Sequence, residues 1–98
     1  MDIKIDRESV DTSKNYNERY ANEQLQKYFS SYPFINSAKV FFRGEKHPYQ
    51  KVKIHLRLKG KDVYAEGEGV GHDVALDNAI SKLRPQMEKY KTRHYKHA

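Results

Sequence analysis

Cysteine is absent from this 98-residue chain, which excludes a disulfide framework and any thiolate-ligated metal site. Long apolar runs are missing too. The N-terminus, "MDIKIDRESV", lacks the hydrophobic stretch of a secretory signal, and no segment approaches the length of a membrane span. The expectation is a soluble, cytoplasmic protein with no membrane partner. No nucleophile motif occurs, and "GEGVG" has neither the lysine nor the strand-to-helix glycine spacing of a phosphate loop. The five histidines, at 47, 55, 72, 94 and 97, have no carboxylate-bearing motif around them. His94 and His97 could share a helix face, but at a chain end this is read as solubility and not as a metal site. The sequence therefore predicts no enzyme: no catalytic residues, no metal, no cofactor and no small-molecule substrate.

Acids are scarce in one place. Formal net charge is +6, and a small basic domain points to a polyanionic partner. Between Lys82 and Ala98 six lysines and arginines face Glu88 alone, so most of the excess charge is concentrated there.

What is present suits one domain spanning residues 1–98 around a small core. Hydrophobic residues make up only 37% of the chain, but eight tyrosines and four phenylalanines bury much area per residue. Ile3 and Ile5 alternate with polar residues and predict a first strand. Tyr16, Tyr20, Leu25, Tyr28, Phe29 and Tyr32 fall at helical spacing. They predict a helix from about Ser13 to Tyr32, ended by Pro33, with its rings in the core and its hydroxyls at the rim. A second strand carries Ala38, Val40 and Phe42, and "GEKHP" is a loop. Val52, Ile54, Leu56 and Leu58 mark a third strand, and Val63, Ala65 and Gly67 a fourth. After "GVGHD", with Asp73 as N-cap, Leu76, Ile80, Leu83, Met87 and Tyr90 form an apolar helical stripe. Pro85 lies inside it, and because the stripe stays in phase it predicts a kink and not a stop. Residues 92–98 form a basic tail expected to fray. The class is α+β, order β-α-β-β-β-α, with one four-stranded sheet and two helices packed on one face.

In "QKVKIHLRLKGKDVYAEGEG" a two-residue turn at Lys59-Gly60 sets Leu58 opposite Lys61. The pairs Arg57–Asp62, His55–Tyr64, Lys53–Glu66 and Lys51–Glu68 then share one face, and Leu56–Val63 and Ile54–Ala65 the other. Three of the four polar pairs join opposite charges, so the basic third strand makes a poor phosphate track. Phe41, His55 and Tyr64 on that face could stack unpaired bases, but the RNP-type pattern is absent. The last helix has too few acids for such cancellation. Lys82, Gln86, Lys89 and Arg93 line one flank, while Arg84, Lys91 and Tyr95 lie on another side. Lys14, Arg19 and Lys27 of the first helix extend the field, diluted by Glu18 and Glu23. A phosphate-binding helix face is the preferred reading over a merely solvated one.

"LQKYF" closing the first helix, the "HLRLKGKDVYAEGEG" hairpin, and "ALDNAISKL" followed by "QMEKYK" together resemble the short ribosome hibernation-promoting factors and ribosome-associated inhibitor A. Members are often labelled sigma-54 modulation proteins. The resemblance covers about residues 25–91. It implies a fold similar to double-stranded-RNA-binding domains and a stress factor that is not an enzyme. It further implies binding to the small ribosomal subunit and the whole ribosome near the decoding centre, with translation blocked. The contacts would be made to rRNA through a basic surface of the two helices, here Lys82, Lys89, Lys91 and Arg93. The resemblance is to the short form, without the C-terminal dimerisation domain, and a monomer off the ribosome is expected. Pro85 stands where the family carries an arginine, and Gly71-His72-Asp73 stands where members often have Asp-x-Tyr. Whether single ribosomes are stabilised or dimers promoted is left open. Two rival readings are a double-stranded-RNA-binding module and a protein-interaction domain using the sheet.

Overall fold

Alternating apolar and polar residues build four strands, β1 (Asp2–Arg7), β2 (Ile35–Gly44), β3 (Tyr49–Leu58) and β4 (Lys61–Val70), and two helices follow the 3.6-residue stripes, α1 (Lys14–Phe29) and α2 (His72–Tyr95). The structure, a computed structural model, describes residues 2–7, 14–44 and 49–95. The predicted loop at 45–48, Ser13 and residues 96–98, with His97 and Lys96, lie outside the described residues. So do the side chains of Lys14, Tyr16, His94 and Tyr95.

The strands form one sheet in the order β1-β2-β3-β4, with β1 parallel to β2 and the other pairs antiparallel. A parallel neighbour requires a crossover, and α1 supplies it. Both helices contribute to a single core. Val40, Val52, Ile54 and Leu56 from the sheet are fully buried against Leu25 and Phe29 of α1 and Leu76, Leu83 and Met87 of α2. Each such side chain contributes about 1.5–3 kcal/mol through area removed from water.

The β3–β4 register is the one predicted, from Leu58↔Lys61 outward to Lys51↔Glu68. Gly60 makes the turn with φ +92°, a conformation that a side chain would disfavour. Core burial then alternates from Val52 to Leu58 along β3 and from Asp62 to Glu68 along β4, as a sheet with one covered face demands.

Three details differ from expectation. α1 ends at Phe29, three residues before Tyr32. Pro33 disfavours helical geometry at Tyr32. The chain leaves α1 through successive turns, with Tyr32 N–H bonded to the Phe29 carbonyl and Ile35 N–H to that of Tyr32. β4 runs on through Val70, so "GVGHD" breaks the strand only at Gly71. Gly71, not Asp73, occupies the cap position: its φ is +99° and its carbonyl accepts the Ala75 N–H at 3.1 Å. Asp73 sits in the first turn, where its carboxylate accepts the Val74 N–H at 2.9 Å and complements the helix dipole.

α2 continues through Pro85 without a stop. Proline leaves the Ser81 carbonyl without its helical donor, and both residues are exposed, so water can serve it. Leu83, Met87 and Tyr90 remain in phase and buried. The seat of α2 on the sheet depends on Gly67. A Cβ there would lie 2.2 Å from the Ala75 carbonyl oxygen and 2.4 Å from the Ala79 nitrogen, so the helix backbone rests directly on β4.

A candidate nucleic-acid interface on the second helix

Tyrosines fasten the two helices together. Tyr20 donates to the Asp77 carboxylate at 3.0 and 3.1 Å, and Gln24 donates to both Tyr20 and Asp77. Tyr32 donates to Glu88. Between these two bonds the Arg84 guanidinium sits 4.7 Å from the centre of the Tyr28 ring, and the Lys27 ammonium 5.3 Å from it. Partners advance together along both helices, so α1 and α2 run parallel. Partial burial, reinforced by a carboxylate that accepts the phenolic proton, pushes Tyr20 up to about 12; the same pair of causes, with Glu88 as the acceptor, pushes Tyr32 up to about 12. The expected placement of rings inward and hydroxyls at the rim holds for these two residues. The hydroxyls also engage two acids of α2.

That engagement shapes the electrostatics of α2. Glu88, the one acid beside the cations, accepts the hydroxyl of Tyr32, in the turns that follow α1. Gln86, Lys89, Lys91 and Arg93 are all exposed on α2. Tyr90 is the last core residue of the helix, and Lys91, Thr92 and Arg93 beyond it are exposed. Gln86, Lys89 and Arg93 meet in one groove with Lys61 of β4, over a floor of Leu58, Val63 and Tyr90, with a volume of about 210 Å³.

Other predicted contact residues are placed differently. The Lys82 ammonium donates to the Glu66 carbonyl at 2.7 Å, one turn beyond Asn78, whose amide donates to the Glu68 carbonyl at 2.8 Å. β4 is an edge strand, and these side chains occupy the carbonyls that another strand would otherwise use. Gln86 donates in turn to the Lys82 carbonyl at 3.3 Å. Arg84 and Lys27 converge on Tyr28, at the seam between the helices. Arg19 lies on the far side of α1, in a groove with Ile3, Ile5, Asn22, Glu18 and Glu23. The structure thus brings Gln86, Lys89 and Arg93 together, pairs Arg84 with Lys27, draws Lys82 to the sheet edge and leaves Arg19 apart.

Sequence reasoning missed Lys61. Its signal was already present in the register, since pairing with Leu58 puts Lys61 on the sheet face that α2 covers.

The opposite sheet face is internally answered. Lys51 pairs with Glu68 at 3.4 Å, and Asp62 lies 3.7 Å from Arg57 and 3.3 Å from His55. The His55–Asp62 approach is close enough for an ion pair, but Nε2 is buried and lacks the alignment of a hydrogen bond. Lys53 faces Glu66 in the ladder, and its ammonium lies 5.3 Å from the centre of the Tyr64 ring. The aromatic rings are engaged as well. His55 stacks on Tyr64 at 4.4 Å with 12° between planes, and Lys39 lies 5.8 Å from the centre of the Phe41 ring. Tyr64 nevertheless remains 54% exposed.

Among the described residues no cluster of His, Asp and Glu could hold a metal ion, and no helix is long and apolar enough to cross a membrane.

Residues 3–95 match the family described as sigma 54 modulation protein / S30EA ribosomal protein. Two solved structures share the fold. A ribosomal subunit interface protein from Coxiella burnetii is 22% identical, with TM-score 0.81, covering 94% of this chain and 99% of its own. The N-terminal domain of Thermus thermophilus Protein Y is also 22% identical, with TM-score 0.75, covering 92% of this chain and 99% of its own. No curated protein matches the chain by sequence.

Proposed function

The chain belongs to the sigma 54 modulation protein / S30EA ribosomal protein family, a family of ribosome-associated factors and not of enzymes, and on that premise we propose that it binds the small ribosomal subunit near the decoding centre and inhibits translation under stress. The binding surface is the exposed C-terminal half of α2, with Lys89 and Arg93 on one flank beside Gln86 and Lys91 on another side as its principal cations, and with Arg84 and Lys27 at the seam between the helices. Lys82 and Arg19 contribute at longer range. One observation carries this reading: the cations of α2 have a single acid among them, and the Tyr32 hydroxyl engages that acid. Such a surface gains affinity from phosphates by releasing condensed counterions.

Sedimentation in sucrose gradients with small subunits, large subunits and whole ribosomes tests the proposal. Co-migration with small subunits and whole ribosomes, but not with large subunits, is the expected result. Equal affinity for naked duplex RNA would instead favour a general double-stranded-RNA-binding module.

A further inference from the structure

The groove between α2 and the tip of the β3–β4 hairpin is a more defined feature than a basic helix face. Its walls come from different elements: Lys61 at the start of β4, and Gln86, Lys89 and Arg93 on α2. Among the described residues, no carboxylate lines it. Lys61 lies on the α2 side of the sheet, whereas its neighbour Asp62 is on the opposite face with Arg57 and His55. Glu88 accepts the Tyr32 hydroxyl and lines the neighbouring cleft with Lys89, Thr92 and Arg93, not this groove. Three cations therefore converge on a cleft that no described carboxylate lines.

The two walls are also fixed relative to one another. Tyr90 donates from α2 to the Lys59 carbonyl in the hairpin turn. Its ring packs 4.5 Å from Phe34, and Phe34 lies 5.4 Å from Tyr32. The Lys59 N–H bonds the Phe34 carbonyl at 3.0 Å, joining the turn to the start of β2. An anion entering the groove would meet walls already held in place, and the ordering that remains is that of the exposed Lys61, Lys89 and Arg93 side chains. The volume of about 210 Å³ is several times the roughly 30 Å³ that a water molecule occupies, which is room for a phosphate with part of its sugar.

The geometry points to this groove as the seat of an RNA backbone phosphate, bound by Lys61 together with Lys89 and Arg93, with the apolar floor of Leu58, Val63 and Tyr90 beneath the sugar. The inference rests on the ribosome-binding reading and deepens it: the hairpin tip becomes part of the recognition surface, which is then not made by the helices alone.

The test measures the affinity of wild type, Lys61→Gln and Lys51→Gln for purified small ribosomal subunits over a series of salt concentrations. Lys61 is exposed and outside the core, so its neutralisation should leave the fold intact, which circular dichroism checks. Lys61→Gln should weaken binding and reduce the slope of log affinity against log salt by about one, the loss of one phosphate contact. Lys51→Gln should keep the wild-type slope. Wild-type slope and affinity in Lys61→Gln would overturn the inference while leaving ribosome binding intact. Failure of the wild type to bind small subunits would overturn the ribosome-binding reading itself, and this inference with it.

Discussion

The sheet's open face and the exposed flank of α2 are both rich in lysine and arginine, yet they differ in what surrounds the charges. On the sheet, β4 returns beside β3 with an acid at nearly every position opposite a cation. Lys51 finds Glu68 and Arg57 finds Asp62 within ion-pair distance. On α2 the acids are few, and two of them, Asp77 and Glu88, accept tyrosine hydroxyls. Counting cations cannot separate these surfaces, because what matters is whether a counter-charge is built in opposite them. A β-hairpin supplies one through register. A helix offers only its own i±3 and i±4 neighbours, and in the last turns of α2 Glu88 is the single acid among them, three residues before Lys91 and four after Arg84.

The most damaging way to disturb this contrast is to separate the two surfaces mechanically. Gly67→Val places side-chain atoms where the α2 backbone already sits. We expect a loss of about 3 kcal/mol or more in urea denaturation, with ribosome binding lost alongside the fold. A smaller effect follows from releasing the acids of α2. Tyr20→Phe and Tyr32→Phe should each cost about 1 kcal/mol through the missing hydrogen bond. They should also change the alkaline limb of stability. In the unfolded chain these phenols lose their protons near the ordinary value of 10.0, whereas the folded state holds them to about 12. Stability is therefore fully present below pH 10 and falls as the pH climbs toward 12. The double Phe variant should show a shallower fall, and phenolate absorbance should reveal two late-titrating tyrosines in the wild type alone. The smallest effect belongs to the sheet. Lys51→Glu and Lys53→Glu place like charges opposite Glu68 and Glu66, at about 1 kcal/mol or less each, and small-subunit affinity should change little.

Much of this was legible in the sequence because both periodicities are clean. Val52 to Leu58 alternate against Lys51 to Arg57, which determines the buried face. With the turn at Gly60, that alternation determines the whole β3–β4 register. The heptad-like steps from Leu76 to Tyr90 carried the helix through Pro85. Less legible were features made by elements distant in sequence. The Tyr20–Asp77 and Tyr32–Glu88 bonds span more than fifty residues, and spacing within α1 says nothing of what α2 presents. The same holds for Lys82, which reads as one more cation on a helix flank until β4 is placed beside it and the Glu66 carbonyl comes within 2.7 Å. Helix ends were also imprecise: Pro33 marks where helical geometry is disfavoured, and α1 stopped three residues before Tyr32.

The central claim is that uncompensated charge, not charge alone, makes the α2 flank the binding surface. The most direct test compares Lys89→Glu/Lys91→Glu/Arg93→Glu with Lys51→Glu/Lys53→Glu for small-subunit binding and for inhibition of cell-free translation, with circular dichroism confirming that both fold. All three α2 residues are exposed, so the helix variant should keep its structure and lose both activities, while the sheet variant keeps both. Retention by the helix variant and loss by the sheet variant would contradict the account and move the binding surface to the face of Phe41, His55 and Tyr64.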